Sequence, residues 1–187
     1  MDAPVRLWEH WQEQVKELLP GVHGHQKKTL ALCALAIILA QSAVLHRMAE
    51  GIALAGLSSA KMVSIERRFA RFIAHERVEV NTIWQQVLKQ LLAYWKGKQV
   101  LLILDCTPFG DRASIVYLGL LVHSRVLPLA WRILPLQEEW DQGQWDLVGQ
   151  LLDRVSLHLA PTDCTVLADR GLAGLPLVKL CRDRQFH

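Results

Sequence analysis

Two apolar runs in this chain end on an aspartate. The first is Val100-Leu101-Leu102-Ile103-Leu104-Asp105-Cys106-Thr107; the second is Cys164-Thr165-Val166-Leu167-Ala168-Asp169-Arg170-Gly171. Neither alternates polar with apolar residues, the pattern of a strand buried on both faces. A carboxylate just past such a strand lies where the chain leaves the core for solvent. If the two strands are parallel neighbours, both carboxylates emerge at one sheet edge, where open α/β sheets bind ligands. Two hard oxygen donors side by side suit Mg²⁺ or Mn²⁺. An aspartate in that position also starts turns and caps helices. The pair therefore gains meaning only if the intervening segment brings the strands together.

That segment has the required pattern. The first strand is expected over 99–104, followed by a turn at Pro108-Phe109-Gly110. Strands over 113–122 and 126–134, joined at His123-Ser124-Arg125, continue it as an antiparallel meander. Pro135 to Gly143 reads as a polar loop containing Glu138, Glu139 and Trp140. A helix over 144–159 follows, with Trp145, Val148, Leu151, Leu152, Val155 and Leu159 as its buried stripe. Pro161-Thr162-Asp163 introduces the fourth strand, and a helix over 175–184 comes last. The crossover rule makes the fourth strand parallel to the first when they are neighbours. The order β-β-β-α-β-α is the opening of a ribonuclease H-like mixed sheet.

The first 97 residues read as helical, which divides the chain into regions 1–97 and 98–187. A 3.6-residue stripe (Val5, Leu7, Trp8, Trp11, Val15, Leu18, Leu19) marks a helix closed by Pro20-Gly21. An apolar helix is expected over 26–48, then a loop at 51–56. The apolar stretch 29–45 falls short of the roughly 20 residues that span a bilayer and carries Gln41 and Ser42, so it is expected to be a core helix, with no membrane partner. Ser58-Ser59 offers an N-cap for a helix through His75, on which Met62, Ile65, Phe69, Phe72 and Ile73 share a face. A further helix covers 80–95.

The net charge of +3 is concentrated. Between Ser58 and Arg77 stand Lys61, Arg67, Arg68, Arg71 and Arg77 against Glu66 and Glu76, which accounts for the whole excess. Such a helix either contacts a phosphate backbone or is a solvated face. The four cysteines (Cys33, Cys106, Cys164, Cys181) have no C-x-x-C spacing and read as buried thiols of a reducing compartment. Thr107 is expected to bond backbone in the turn after Asp105. Trp131, Trp140 and Trp145 either stack on a flipped base or pack in the core. His23 and His25 need no metal to explain them.

Three pieces in order carry a family resemblance: Arg67-Arg68-Phe69-Ala70-Arg71-Phe72, Leu104-Asp105-Cys106-Thr107 and Leu167-Ala168-Asp169-Arg170-Gly171-Leu172. Together they resemble the DDE transposases of bacterial insertion sequences, along nearly the whole chain. The resemblance implies an N-terminal helical DNA-binding region and a ribonuclease H-like catalytic domain. Asp105 and Asp169 would be the catalytic, Mg²⁺- or Mn²⁺-binding carboxylates, and Lys61, Arg67, Arg68, Arg71 and Arg170 the DNA contacts. Implied partners are double-stranded transposon ends and either a second copy or a full-length transposase, in a nucleoid-associated, cytoplasmic setting. The family's third carboxylate is a glutamate in a later Tyr…Arg…Glu…Lys signature, which Glu138 and Glu139 do not match. Gln185-Phe186-His187 stand where a fifth strand would start, so the outer edge of the fourth strand is expected to be unpaired. The expected activity is DNA binding without strand cleavage by this chain alone. A non-enzymatic fragment that inhibits transposition, and a metal-dependent nuclease of the same fold, are the alternatives.

Overall fold

The apolar stripes of the first half form five helices: α1 (Ala3–Leu18), α2 (Gly24–Ala40), α3 (Leu45–Leu54), α4 (Met62–Ile73) and α5 (Val80–Leu91). A computed structural model describes residues 3–135 and 143–187. Among these residues the chain is mixed α/β, with seven α-helices and one four-stranded mixed sheet. It divides into two units, Met1–Val87 and Leu88–His187.

In the first unit the apolar stretch is two helices rather than one. The chain breaks at Gln41, which takes a left-handed conformation (φ 47°), and α2 and α3 meet at 88°. The Gln41 and Ser42 amides close α2 on the Ile38 and Ile37 carbonyls, and Ser42 Oγ accepts the Val44 amide at 3.2 Å to lead into α3. Short hydroxyl-to-backbone bonds of this kind compete with helix continuation. Gly51, expected in a loop, lies inside α3. A Cβ there would meet the Ala40 nitrogen at 3.4 Å, an ordinary contact, so Gly51 lies where α3 sits against the end of α2. Leu32, Cys33, Ala36, Met48, Ala49, Ile52, Ile65 and Phe69 form one core cluster; Val15, Leu19 and Ala31 form another.

Helix α4 starts at Met62 with Lys61 as its N-cap; Ser58 Oγ instead holds the Ala60 amide in the preceding turn. Ile73, expected on the buried face, is 66% exposed. No single helix among the described residues is long and apolar enough to cross a membrane, although the bent pair α2–α3 passes by length and composition together.

The second unit holds strands β1 (Val100–Phe109), β2 (Ala113–Val122), β3 (Arg125–Pro135) and β4 (Cys164–Ala168), with helices α6 (Gln144–Ser156) and α7 (Leu175–Asp183). The strand order is β3-β2-β1-β4. β1 and β2, and β2 and β3, pair antiparallel; β4 pairs parallel with β1, from Val100↔Cys164 to Leu104↔Ala168. The meander, the crossover through α6 and the parallel return are those expected from sequence.

Three expectations about the strands are corrected. β1 does not end at Leu104: it continues to Phe109, paired with β2 as far as Ala113. Pro108, with no N–H to donate, is tolerated because this part of β1 has β2 as its one sheet neighbour. Nor are the strands buried on both faces. Leu102, Leu104, Val116, Leu118 and Leu120 lie under α6, which packs on β2 and β3, whereas Leu101 and Leu167 on the other face are 41% and 44% exposed. The outer edge of β4 is not bare either: His187 donates to the Cys164 carbonyl (2.9 Å) and accepts from the Val166 amide (2.7 Å), a parallel ladder pattern.

Gly119 lies at the β2–β3 register shift, where a Cβ would meet Val126 Cγ1 at 2.4 Å and the Leu127 carbonyl oxygen at 3.0 Å. Gly119→Val should therefore destabilise the fold by about 1–3 kcal/mol. Gly143→Ala, with nothing within 4 Å of its Cβ, should leave the thermal midpoint nearly unchanged.

Candidate metal centre

The step in the sheet at the end of β4 creates the site. Through Leu104 the first strand has a neighbour on each side; at Asp105 the β4 side is vacated while β2 continues. Asp105 and Asp169 are each one residue beyond the last parallel pair, Leu104↔Ala168. Neighbouring strands run about 4.8 Å apart, so the two residues leave the sheet as neighbours. Both act on the Cys106 thiol, whose pKa is raised first by burial and then by Asp105 and Asp169.

Each carboxylate already makes protein contacts. Asp105 Oδ2 accepts from Thr107 Oγ1 (3.0 Å) and from the Tyr117 hydroxyl (3.1 Å). Tyr117 is the cross-strand partner of Asp105 and shares its face of the sheet. Thr107 therefore bonds the carboxylate, not the backbone of a turn, because the strand has not ended there. Asp169 Oδ1 accepts the Leu172 amide at 3.0 Å, and its carbonyl accepts the Ala173 amide at 2.7 Å. The turn-forming role of this aspartate is thus real. It engages one oxygen, and the other side of each carboxylate has no protein hydrogen bond among the described residues.

A divalent ion fits this donor set: two adjacent carboxylates, each oriented by fixed hydrogen bonds and each with an oxygen to offer. Among the described residues no group of three His, Cys, Asp or Glu side chains gathers to complete a closed cage. Glu138, Glu139 and Trp140 lie outside the described residues. Arg170 is exposed in the turn after Asp169. Trp131, half-buried, stands opposite Tyr117 on β3, and Trp145 is half-buried on α6.

The basic residues are distributed unevenly over the first unit. Lys61, Arg67, Arg68 and Arg71 are all exposed. Arg68 Nη2 donates to Thr29 Oγ1 at 3.3 Å and acts on the buried Cys33 thiol, which burial lifts to about 11 against the pull of the guanidinium. Lys61, at the N-cap, stands about 15 Å along the axis from Arg71. Cys33, Cys164 and Cys181 are buried free thiols and Cys106 is half-buried.

Tyr117 was not singled out from sequence, though the pairing that places it was readable once the first strand is carried through to Phe109. Burial and then the hydrogen bond to Asp105 raise its pKa above that of an ordinary phenol. The folded state therefore holds this proton more tightly than the unfolded chain. The resulting stability is fully present below about pH 10 and is lost as pH rises through the raised folded value. In a Tyr94→Phe background, which leaves Tyr117 the sole tyrosine, phenolate absorbance should titrate late. Asp105→Asn should move that titration back towards lower pH. An unmoved titration would separate the two groups.

No family model, no curated protein and no solved structure matches the chain.

Proposed function

We propose that this chain is the DNA-binding and two-aspartate portion of a DDE-type, ribonuclease H-like DNA strand-transfer protein. The observation that carries the reading is the emergence of Asp105 and Asp169 side by side where β4 ends and β1 continues. The order of elements, three antiparallel strands, a helix and a parallel fourth strand next to the first, agrees with such a core. So do the two short motifs around the aspartates and the basic helix α4.

When bound, divalent metal supplies activation of a water or 3′-hydroxyl and stabilisation of the leaving oxygen in phosphodiester chemistry. The chain's own part is to hold the carboxylates. The Tyr117 and Thr107 hydroxyls fix the rotation of Asp105 through Oδ2, and the Leu172 amide fixes Asp169 through Oδ1. Arg170, next to Asp169 and exposed, is available to a DNA phosphate. With two carboxylates as its ligands among the described residues, a metal would be held weakly. On this reading the chain binds DNA, and strand cleavage requires a ligand beyond the two carboxylates among the described residues. A role in occupying transposon ends without cleaving them follows from the same ligand count.

Two outcomes are expected. Replacing Arg67, Arg68 and Arg71 together by Ala should weaken duplex binding and reduce its salt dependence by roughly one unit of log–log slope per lost phosphate contact. Unchanged affinity and slope would mean that the basic face is only solvated. Supercoiled plasmid with Mg²⁺ or Mn²⁺ should show no nicking above background. Metal-dependent nicking that disappears in Asp105→Ala would show instead that the site is complete in this chain.

A further inference from the structure

The first unit contains a cleft of about 620 Å³ lined by Arg68, Arg71, Arg77, His23, His25 and His75. Its walls are the start of α2 on one side and the second half of α4 with the turn after it on the other. Arg68 and Arg71 are one turn apart on α4 and so project from one side of that helix. Arg68 is anchored to Thr29 Oγ1, and Thr29, only 8% exposed, in turn donates to the His25 carbonyl at 3.0 Å. The backbone of Arg77 is tied to α2, its carbonyl accepting from Gln26 Nε2 at 3.2 Å.

The cleft offers donors and positive charge with no neutralising acid at its lining among the described residues. Among the described residues no carboxylate lines it, and no ion pair engages Arg68, Arg71 or Arg77. Glu66, the acid nearest in sequence on α4, pairs with His46 at 3.3 Å, and Glu76 and Glu79 are not among the lining residues. His75 Nδ1 accepts the Arg77 amide at 3.1 Å, and His23 Nδ1 accepts the His25 amide at 3.4 Å. An imidazole that accepts at Nδ1 carries its proton at Nε2 and is a donor there. The 17-residue helix α2 has no acidic residue in its first turn, so its N-terminal amides and dipole add to the same sign. Three arginines line one concavity, and guanidinium forks match the tetrahedral oxygens of a phosphate, which they bind in pairs of parallel hydrogen bonds.

We propose that this cleft is a phosphate-binding site, gripping one phosphate group between Arg68, Arg71 and Arg77. A phosphate on a nucleic-acid backbone and one on a small phosphorylated compound present the same chemistry to it. In the first case the inference deepens the nucleic-acid half of the reading above by localising the grip to one cleft instead of the length of α4. It does not depend on metal at Asp105 and Asp169.

The test is an amide NMR titration of the full chain with inorganic phosphate at constant ionic strength, and a parallel titration with a short duplex. Saturating shifts are expected at residues 24–29 and 68–77. Arg71→Gln with Arg77→Gln should weaken binding about tenfold or more, while Arg47→Gln, the same charge change on α3, should not. Arg71→Lys with Arg77→Lys keeps the charge but loses the forks, so it should fall between, which also guards against a folding defect in the glutamine variant. A duplex that moves the same amides and displaces phosphate identifies the nucleic-acid backbone as the source. Phosphate binding with no duplex response at these amides identifies a small phosphorylated ligand. Absence of saturating shifts with either probe, or an equal response in the Arg71→Gln/Arg77→Gln protein, would overturn the proposal. Asp105→Asn should leave these titrations unaltered, so a failure here is distinguishable from a failure at the metal edge.

Discussion

The parallel pairing of β1 with β4 is the constraint on which the second unit depends. It sets Leu102 beside Val166 and Leu104 beside Ala168, and it ends there. Because side chains alternate along a strand, a slip of one residue would turn Leu102 and Leu104 out of the core and carry Asp105 to the opposite face. Both leucines are essentially inaccessible to solvent, at 0% and 1%. Hydrophobic burial on the α6 side therefore fixes where the carboxylate on the other side stands. Burial of each such leucine is worth about 1.5–3 kcal/mol, and a slip would expose both at once, so the core dictates the site.

The carboxylates do two things at once. Asp169 holds the turn that leads from β4 to α7, and Asp105 receives two hydroxyls from its own sheet. Structural and metal-binding roles are often set against each other for such residues; on the proposed reading each would use different oxygens. A divalent cation would then take the free oxygens and leave the orienting hydrogen bonds intact. Tyr117 adds a constraint on pH, since its proton is held by the same oxygen that orients Asp105.

Much of this sheet was legible in the sequence because apolar runs, a polar loop and one amphipathic helix leave few topologies open. β2 begins and ends at the residues the pattern indicates, Ala113 and Val122. The extension of β1 through Pro108 was not legible, since proline reads as punctuation and its tolerance depends on which neighbour the strand lacks. Tyr117 was hidden for the same reason: its pairing with Asp105 exists only in the extended hairpin. One-sided burial of β1 was missed because Leu101 and Ile103 look like core residues when the opposite face is unknown. In the first unit the break at Gln41-Ser42 rests on a left-handed glutamine, a conformation that composition does not announce. The basic cleft needed the return of α4 against α2, which brings Arg68 to Thr29 across many residues of sequence.

On the proposed reading Asp105 and Asp169 share one divalent ion. A double-mutant cycle on Mn²⁺ affinity, with Asp105→Asn, Asp169→Asn and the two combined, tests it most directly. A shared ion predicts that either single change removes most of the binding and that the double variant loses little more. Losses that simply add, or an affinity indifferent to both substitutions, would contradict it.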